Sequence, residues 1–205
     1  MPERPKIVAM LPVRNKSARY LRDALANLTQ WVDAIIVLDD ASDDDTFEVA
    51  TSFSKVIYYQ NNTPEYGEDD RRLQSKLWQL ASGENPDWVL AINTDEIFED
   101  RIIDEIGLLL EQNDYDIVCF RVFHFWKSDS HYRIDGNWNP WKNFQPFIVR
   151  YKPELEKADP YTDVYSFFSD IRIKHFGWDR EADEEDTKIL LEEWVPSKQL
   201  YFLKG

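Results

Sequence analysis

An alternation along the chain constrains its fold most. Short apolar runs take turns with amphipathic stretches from residue 6 to residue 125. Residues 6–13 (KIVAMLPV), 34–38 (AIIVL), 55–59 (KVIYY), 87–92 (DWVLAI) and 116–125 (DIVCFRVFHF) read as strands. Their apolar residues are nearly continuous, as in strands covered on both faces. Residues 17–28, the stretch from SDDDT to residue 53, residues 68–81 and residues 100–112 read as helices. Ser17 is a candidate cap for the first, whose Tyr20, Leu21, Ala24, Leu25 and Leu28 share a face. The acids of SDDDT stand in the first turn of the second, where the helix dipole favours them. Such an order predicts an α/β fold with a mostly parallel central sheet flanked by helices. Ligands of these sheets bind beyond the carboxyl ends of the strands.

Polar clusters stand at those ends. Arg14-Asn15 follows the first strand, Asp39-Asp40 the second and Asp95-Glu96 the fourth. Any one of them could cap a helix or fill a solvated turn. Three at one edge of one sheet point to a site. Two carboxylates at the mouth of a buried strand repel each other unless a positive charge sits between them. Oxygen ligands of this kind suit Mg²⁺ or Mn²⁺, which commonly bridge substrate phosphates. Asp95 or Glu96 could instead cap the helix near Asp100, but Asp100 is better placed for that role. Asp39 and Asp40 could accept hydrogen bonds from a ribose or a base.

Beyond residue 113 the pattern changes. The stretch 120–153 is rich in aromatics and lacks helical periodicity, so longer strands with irregular connections are expected. Residues 169–180 alternate like a strand, and residues 186–194 read as a last helix. The acidic run 179–188 reads as a solvated loop leading into that helix. His175 lies in IKHFGW, where Gly177 permits close backbone approach, and is a candidate metal or phosphate ligand. His124 and His131 read as structural or acceptor-side residues.

The balance of charge excludes some partners. With 39 acids against 24 bases the formal net charge is −15, which argues against nucleic acid and against docking on anionic lipid. A phosphorylated substrate would need local Arg and Lys or a divalent cation. No stretch approaches a membrane span and the apolar run at the start is too short for a signal segment. The lone Cys119 sits in an apolar stretch and reads as buried packing in a reducing, cytoplasmic setting.

Four segments in order resemble the family-two, inverting glycosyltransferases with the GT-A fold. They are IVAMLPVRNKSARYLRDALANL, WVDAIIVLDDASDDDTFEVA, DWVLAINTDEIFED and IKHFGW. The third is similar to the strand carrying that family's D-x-D metal motif. The resemblance implies a GT-A (Rossmann-like) domain over residues 1–205, with a nucleotide-sugar half at 1–112 and an irregular, aromatic-rich acceptor half at 113–205. The abrupt end also fits a piece of a longer polypeptide. It further implies sugar transfer from a UDP- or dTDP-type donor to a sugar or glycan hydroxyl with Mn²⁺ or Mg²⁺, in surface polysaccharide or glycoconjugate synthesis. Pro12 and Arg14 would line the nucleotide site, Asp40 and Asp39 would hold base or ribose, and Arg71 or Arg72 would sit near the diphosphate. Asp95 would be the main metal ligand, with Glu96 beside it and His175 as a further ligand. Asn93 stands where the first acid of D-x-D is expected; it can still accept from a ribose but binds metal weakly.

Inversion needs a general base, for which Asp163, Asp159 and Asp135 are candidates, Asp163 first. Trp126, Trp138, Trp141 and Trp178 could stack on an acceptor sugar. Two rival readings stand beside this one. A sugar-phosphate nucleotidyltransferase would carry a Gly-rich loop after its first strand, and none is present. A non-catalytic nucleotide-sugar or glycan-binding module would tolerate Asn93.

Overall fold

A computed structural model describes residues 4–16, 20–65, 70–142, 144–153, 165–178 and 190–195. Among them, strands β1 (Ile7–Val13), β2 (Ala34–Asp39), β3 (Val56–Gln60) and β4 (Trp88–Ala91) alternate with helices α1 (Leu21–Leu28), α2 (Thr46–Thr51) and α3 (Asp70–Ser82). A short strand β5 (Glu96–Phe98) and helix α4 (Arg101–Leu110) follow. The second half supplies β6 (Ile117–Trp126), β7 (His131–Arg133), β8 (Phe144–Arg150), β9 (Ser166–Trp178) and β10 (Leu191–Glu193).

Parallel pairing runs through β4-β1-β2-β3. β8 then joins antiparallel on the β4 side, and β6, β7 and β10 extend the sheet in that order. β9 lies parallel to β6 and pairs antiparallel with β5. The chain therefore steps from β1 outward to β3 and returns across β1 to β4. Strand order reverses at the β1–β4 boundary, where crevices form in sheets of this kind.

Alternation within each run explains why both faces are apolar. Ile7, Ala9, Leu11, Ile35 and Val37 point to the side covered by Leu21, Leu25 and Leu28 of α1 and Ile102 and Ile106 of α4. Val8, Met10, Ile36, Leu38 and Val89 point to the other side, under Leu73, Leu77 and Ala81 of α3. Phe98, 1% exposed, sits edge-on to Trp31 and Phe120 and packs on Phe147, so β5 is fastened to both halves. Asp100 precedes α4 but makes no side-chain capping bond. Arg101 fixes the helix instead, through Glu105 and through Asp170 of β9.

Further expectations change. The acids Asp43, Asp44 and Asp45 precede α2, whose first turn holds Glu48 instead. Glu96–Phe98, for which the sequence predicts no element, forms β5 because its edge is taken up by β9 in the register Glu96↔His175 and Phe98↔Ile173. Residues 191–193, read as part of a helix, form β10 on the edge of β7. Trp194 explains that change: it packs 5.3 Å from Phe123 and 5.5 Å from Phe125, with the Arg172 guanidinium 4.0 Å above its ring. Tertiary packing here overrides the helical propensity of Leu-Glu-Glu. The rest of that expected helix, residues 186–189, lies outside the described residues, as does most of the acidic run. Cys119 is buried, as expected. Among the described residues no helix is long and apolar enough to cross a membrane.

Truncation of Phe98 to alanine should destabilise the protein by about 3–5 kcal/mol in urea unfolding, the usual range for a fully enclosed aromatic. A change below about 1 kcal/mol would mean that β5 is not fastened as described.

Candidate functional site

A cavity of about 360 Å³ opens at the β1–β4 boundary. β1 and the loop after it contribute Pro12, Val13, Arg14 and Lys16; Asp40 follows β2, and Leu73 comes from α3. Asn93, Thr94 and Asp95 follow β4, and His175 enters from β9. Six residues expected from sequence thus share one space: Pro12, Arg14, Asp40, Asn93, Asp95 and His175. Lys16 joins them unforeseen. Its signal was present as a second cation in RNK after the first strand.

The loops after β1 and β2 are clasped. The Asn15 N–H donates to Ser42 Oγ (2.8 Å), the Asp43 N–H to Asn15 Oδ1 (3.0 Å) and the Lys16 N–H to Thr46 Oγ1 (3.0 Å). Asn15 and Ala41 both have left-handed backbones, φ 51° and 59°. Asn tolerates that region; for Ala it costs roughly 1–2 kcal/mol, which the clasp offsets.

The adjacent acids Asp39 and Asp40 have separate work. Asp39 is wholly buried, accepting from the Ser42 N–H (2.8 Å) and from the Tyr58 hydroxyl, so it builds the turn and does not reach the cavity. Asp40 lines the cavity. Its carboxylate accepts from the Glu65 N–H (2.8 and 2.9 Å) and from the Asn61 side-chain amide (2.8 Å), and Lys76 Nζ donates to Asn61 Oδ1. Arg71 and Arg72 are exposed at the start of α3 and do not line the cavity; Arg72 lies 3.5 Å from Glu65.

At the far end, residues 93–96 form a turn. The Asn93 N–H donates to Glu96 Oε2 (2.8 Å) and the Glu96 N–H to the Asn93 carbonyl (3.2 Å). This turn parts Asp95 from Glu96. Glu96, expected beside Asp95 as a ligand, is 7% exposed and faces a neighbouring cavity of about 180 Å³ with Gln74 and Gln145. Burial pushes its carboxyl up to about 7, against the lowering effect of the Asn93 N–H.

Asp95 faces His175, with 3.9 Å between Oδ2 and Nε2. The Phe176 N–H donates to the Asp95 carbonyl (2.8 Å), which ties the turn to β9. A Cβ on Gly177 would lie 2.7 and 2.9 Å from the His175 ring and 3.1 Å from Asp95 Oδ2, so both groups occupy space that only glycine leaves. Burial lowers the His175 pKa and outweighs the opposing pull of Asp95. On its other side, His175 Nδ1 is 2.9 Å from His124 Nδ1. Burial, and then the charges of His175 and Arg133, lower His124 to about 4.

Among the described residues no three His, Cys, Asp or Glu side chains form a ready metal cage. Mg²⁺ and Mn²⁺ commonly take one or two protein ligands and the rest from substrate phosphate and water. A carboxylate oxygen and an imidazole nitrogen facing each other beside Arg14 and Lys16 fit that pattern.

The candidates in the second half divide. Asp135 is gripped by both sides of the Arg133 guanidinium (2.9 Å to Nε), whose hydrogen bond holds its carboxyl below the usual range and makes it a weak base. Arg133 itself lies 4.7 Å from the Trp126 ring and 5.0 Å from the Trp138 ring, so both indoles are engaged in packing. Trp141 is 52% exposed. Asp159, Asp163 and the Trp178 side chain lie outside the described residues. His131 is at the start of β7, away from the cavity lining.

Known proteins resemble this chain in sequence and in fold. Residues 9–174 match the sequence model of Glycosyl transferase family 2. An uncharacterized glycosyltransferase of Mycoplasma pneumoniae is 27% identical over 133 residues, 62% of this chain and 40% of the relative. The crystal structure of TarS from S. aureus is similar in fold, with a TM-score of 0.59 at 14% identity, covering 83% of this chain and 36% of that one. TarS 1–349 in complex with UDP-GlcNAc gives a TM-score of 0.53 at 15% identity, over 71% of this chain and 45% of that one. The chain thus spans less than half the length of these relatives.

Two substitutions test the geometry. Gly177→Ala should displace the His175 ring, visible as a changed imidazole resonance, and lower stability by about 1–3 kcal/mol. An unmoved resonance would contradict the close approach. Glu96 has its folded pKa raised from 4.5 to about 7, so the native state loses stability as pH rises across that interval. Glu96→Gln keeps an acceptor for Asn93 and should exceed wild type by about 3 kcal/mol above pH 7, the gap closing below pH 4.5. A gap that ignores pH would refute the buried, raised carboxyl.

Proposed function

This chain belongs to glycosyl transferase family 2, and from that premise we propose that it moves a sugar from a nucleotide-diphosphate sugar to a hydroxyl acceptor, with inversion and with a divalent metal. One observation carries the reading. A single cavity has a buttressed carboxylate at one end, two cations beside it, and a carboxylate–imidazole pair at the other end. Asp40 accepts from the base or ribose. Arg14 and Lys16 draw in the diphosphate, which the strongly acidic surface would otherwise repel. Pro12 and Asn93 line the same cavity, Asn93 offering a ribose acceptor where the family motif has an acid.

Asp95 and His175 hold the metal, and Asp39 and Glu96 shape the turns on either side. When bound, the ion supplies Lewis-acid stabilisation of charge growing on the leaving diphosphate. The acceptor oxygen bonds to the anomeric carbon as the carbon–oxygen bond to diphosphate breaks on the opposite face, and the hydroxyl proton passes to a base. Asp163 and Asp159 are the candidates for that base, because Arg133 occupies Asp135. Arg71 or Arg72, at the start of α3, is the candidate for the diphosphate side. TarS, which shares the fold, was solved with UDP-GlcNAc, and this supports UDP as the first nucleotide to test. The product would serve surface polysaccharide or glycoconjugate synthesis.

Asn93 favours one alternative, a nucleotide-sugar-binding module without turnover. Calorimetry with UDP, GDP and dTDP, each with and without Mn²⁺, separates the two. One nucleotide should bind in a Mn²⁺-dependent way, and Asp95→Ala should weaken it by about tenfold or more, a loss of at least ~1.4 kcal/mol. Binding indifferent to both metal and mutation would favour the module.

A further inference from the structure

From sequence His124 reads as a structural or acceptor-side residue, yet β6 and β9 lie parallel in a register that sets it directly beside His175. The two Nδ1 atoms stand 2.9 Å apart. Two nitrogens at that distance form a hydrogen bond only when one carries hydrogen and the other a lone pair. The pair therefore has two arrangements. If His124 donates, His175 keeps its hydrogen on Nε2, the nitrogen facing Asp95. If His175 donates, its Nε2 lone pair faces Asp95 and the cavity.

Only the second arrangement leaves Nε2 able to hold a cation, since a ligating imidazole nitrogen must be unprotonated. The spacing agrees with it. At 3.9 Å, Nε2 and Asp95 Oδ2 are too far apart for an N–H···O hydrogen bond, so a hydrogen on Nε2 has no bonded acceptor there. We propose that His124 is a positioning residue: it accepts the Nδ1–H of His175 and so presents the His175 Nε2 lone pair toward Asp95 for a divalent cation. This rests on the reading of Asp95 and His175 as metal ligands.

His124 is suited to the task because it cannot turn freely. It sits inside β6 with Trp138 edge-on at 4.9 Å, and Arg133 is held between Trp138 and Trp126 just beyond. Ligating histidines generally have their second nitrogen fixed by a partner, and loss of that partner lowers metal affinity roughly 10–100-fold. A neutral imidazole is an unusual partner because it can either give or take the hydrogen. The aromatic packing fixes the ring, and the cation selects the direction of the bond.

The test uses the full chain. Nitrogen-15 imidazole spectra at neutral pH with saturating Mg²⁺ should show the His175 hydrogen on Nδ1 and the His124 hydrogen on Nε2. The dissociation constant for Mn²⁺ alone, read by electron paramagnetic resonance, should rise roughly 10–100-fold in His124→Phe. His124→Asn offers an oxygen near the place of Nδ1 and should restore most of the affinity; circular dichroism checks that both variants fold. A His175 hydrogen on Nε2 under Mg²⁺ overturns the proposal. Mn²⁺ affinity lost in Asp95→Ala but unchanged in His124→Phe overturns it alone. Mn²⁺ that binds neither wild type nor variants removes the metal reading and this inference with it.

Discussion

The site depends on the pairing of a three-residue strand, β5, with the end of β9. Neither half of the molecule contains the site by itself. The parallel half supplies the cations, Asp40 and Asp95, while His175 comes from the other half. Antiparallel bonds between Glu96–Phe98 and Ile173–His175, with the Phe176 N–H on the Asp95 carbonyl, bring the two together. Phe98 locks the join from below by packing on Trp31, Phe120 and Phe147. Backbone hydrogen bonds along a packed sheet fix position more tightly than side chains on loops could. Gly177 lets that pairing close without a Cβ driving the imidazole and carboxylate apart.

Adjacent acids in this chain do different work because a strand end sends neighbouring side chains opposite ways. Asp39 and Asp40 illustrate it at β2, and Asp95 and Glu96 after β4. In each pair one acid lines the main cavity and the other is turned away from it, where N–H donors or a hydroxyl satisfy it. The inward member shapes the turn that aims the outward one. Electrostatic repulsion between neighbours is thereby reduced by geometry as well as by nearby cations.

The parallel half was legible because its strands are covered on both faces, which makes them continuous apolar runs, and because cavity residues fall where those runs stop. Arg14, Asp40 and Asp95 followed directly from that rule. The remainder was less legible for definite reasons. β5 has three residues and no pattern of its own, and it exists because β9 offers an edge. Leu191–Glu193 carries helical propensity that the Trp194 packing overrides. The partnership of His124 with His175 is a matter of register between strands 51 positions apart, which no local spacing reveals. That Asp39 and Glu96 turn inward depends on Ser42, Tyr58 and Asn93 as partners, and Lys16 was overlooked beside the more prominent Arg14.

The β5–β9 pairing also bears on the order in which the molecule assembles. Arg172 and Glu99, at the edge of this pairing, are 73 positions apart, whereas β1 to β3 join through short βα units. Pairing across such a span costs chain entropy before any contact rewards it, as does the pairing of Ile7 with Trp88 inside the parallel half. The parallel half can form a nucleus while β9 is still being synthesised, because it needs nothing C-terminal for its own pairing among β1 to β4. The carboxylate–imidazole end of the cavity is then among the last parts to be completed. A growing chain would hold the cationic wall and Asp40 in place well before it could present His175 to Asp95.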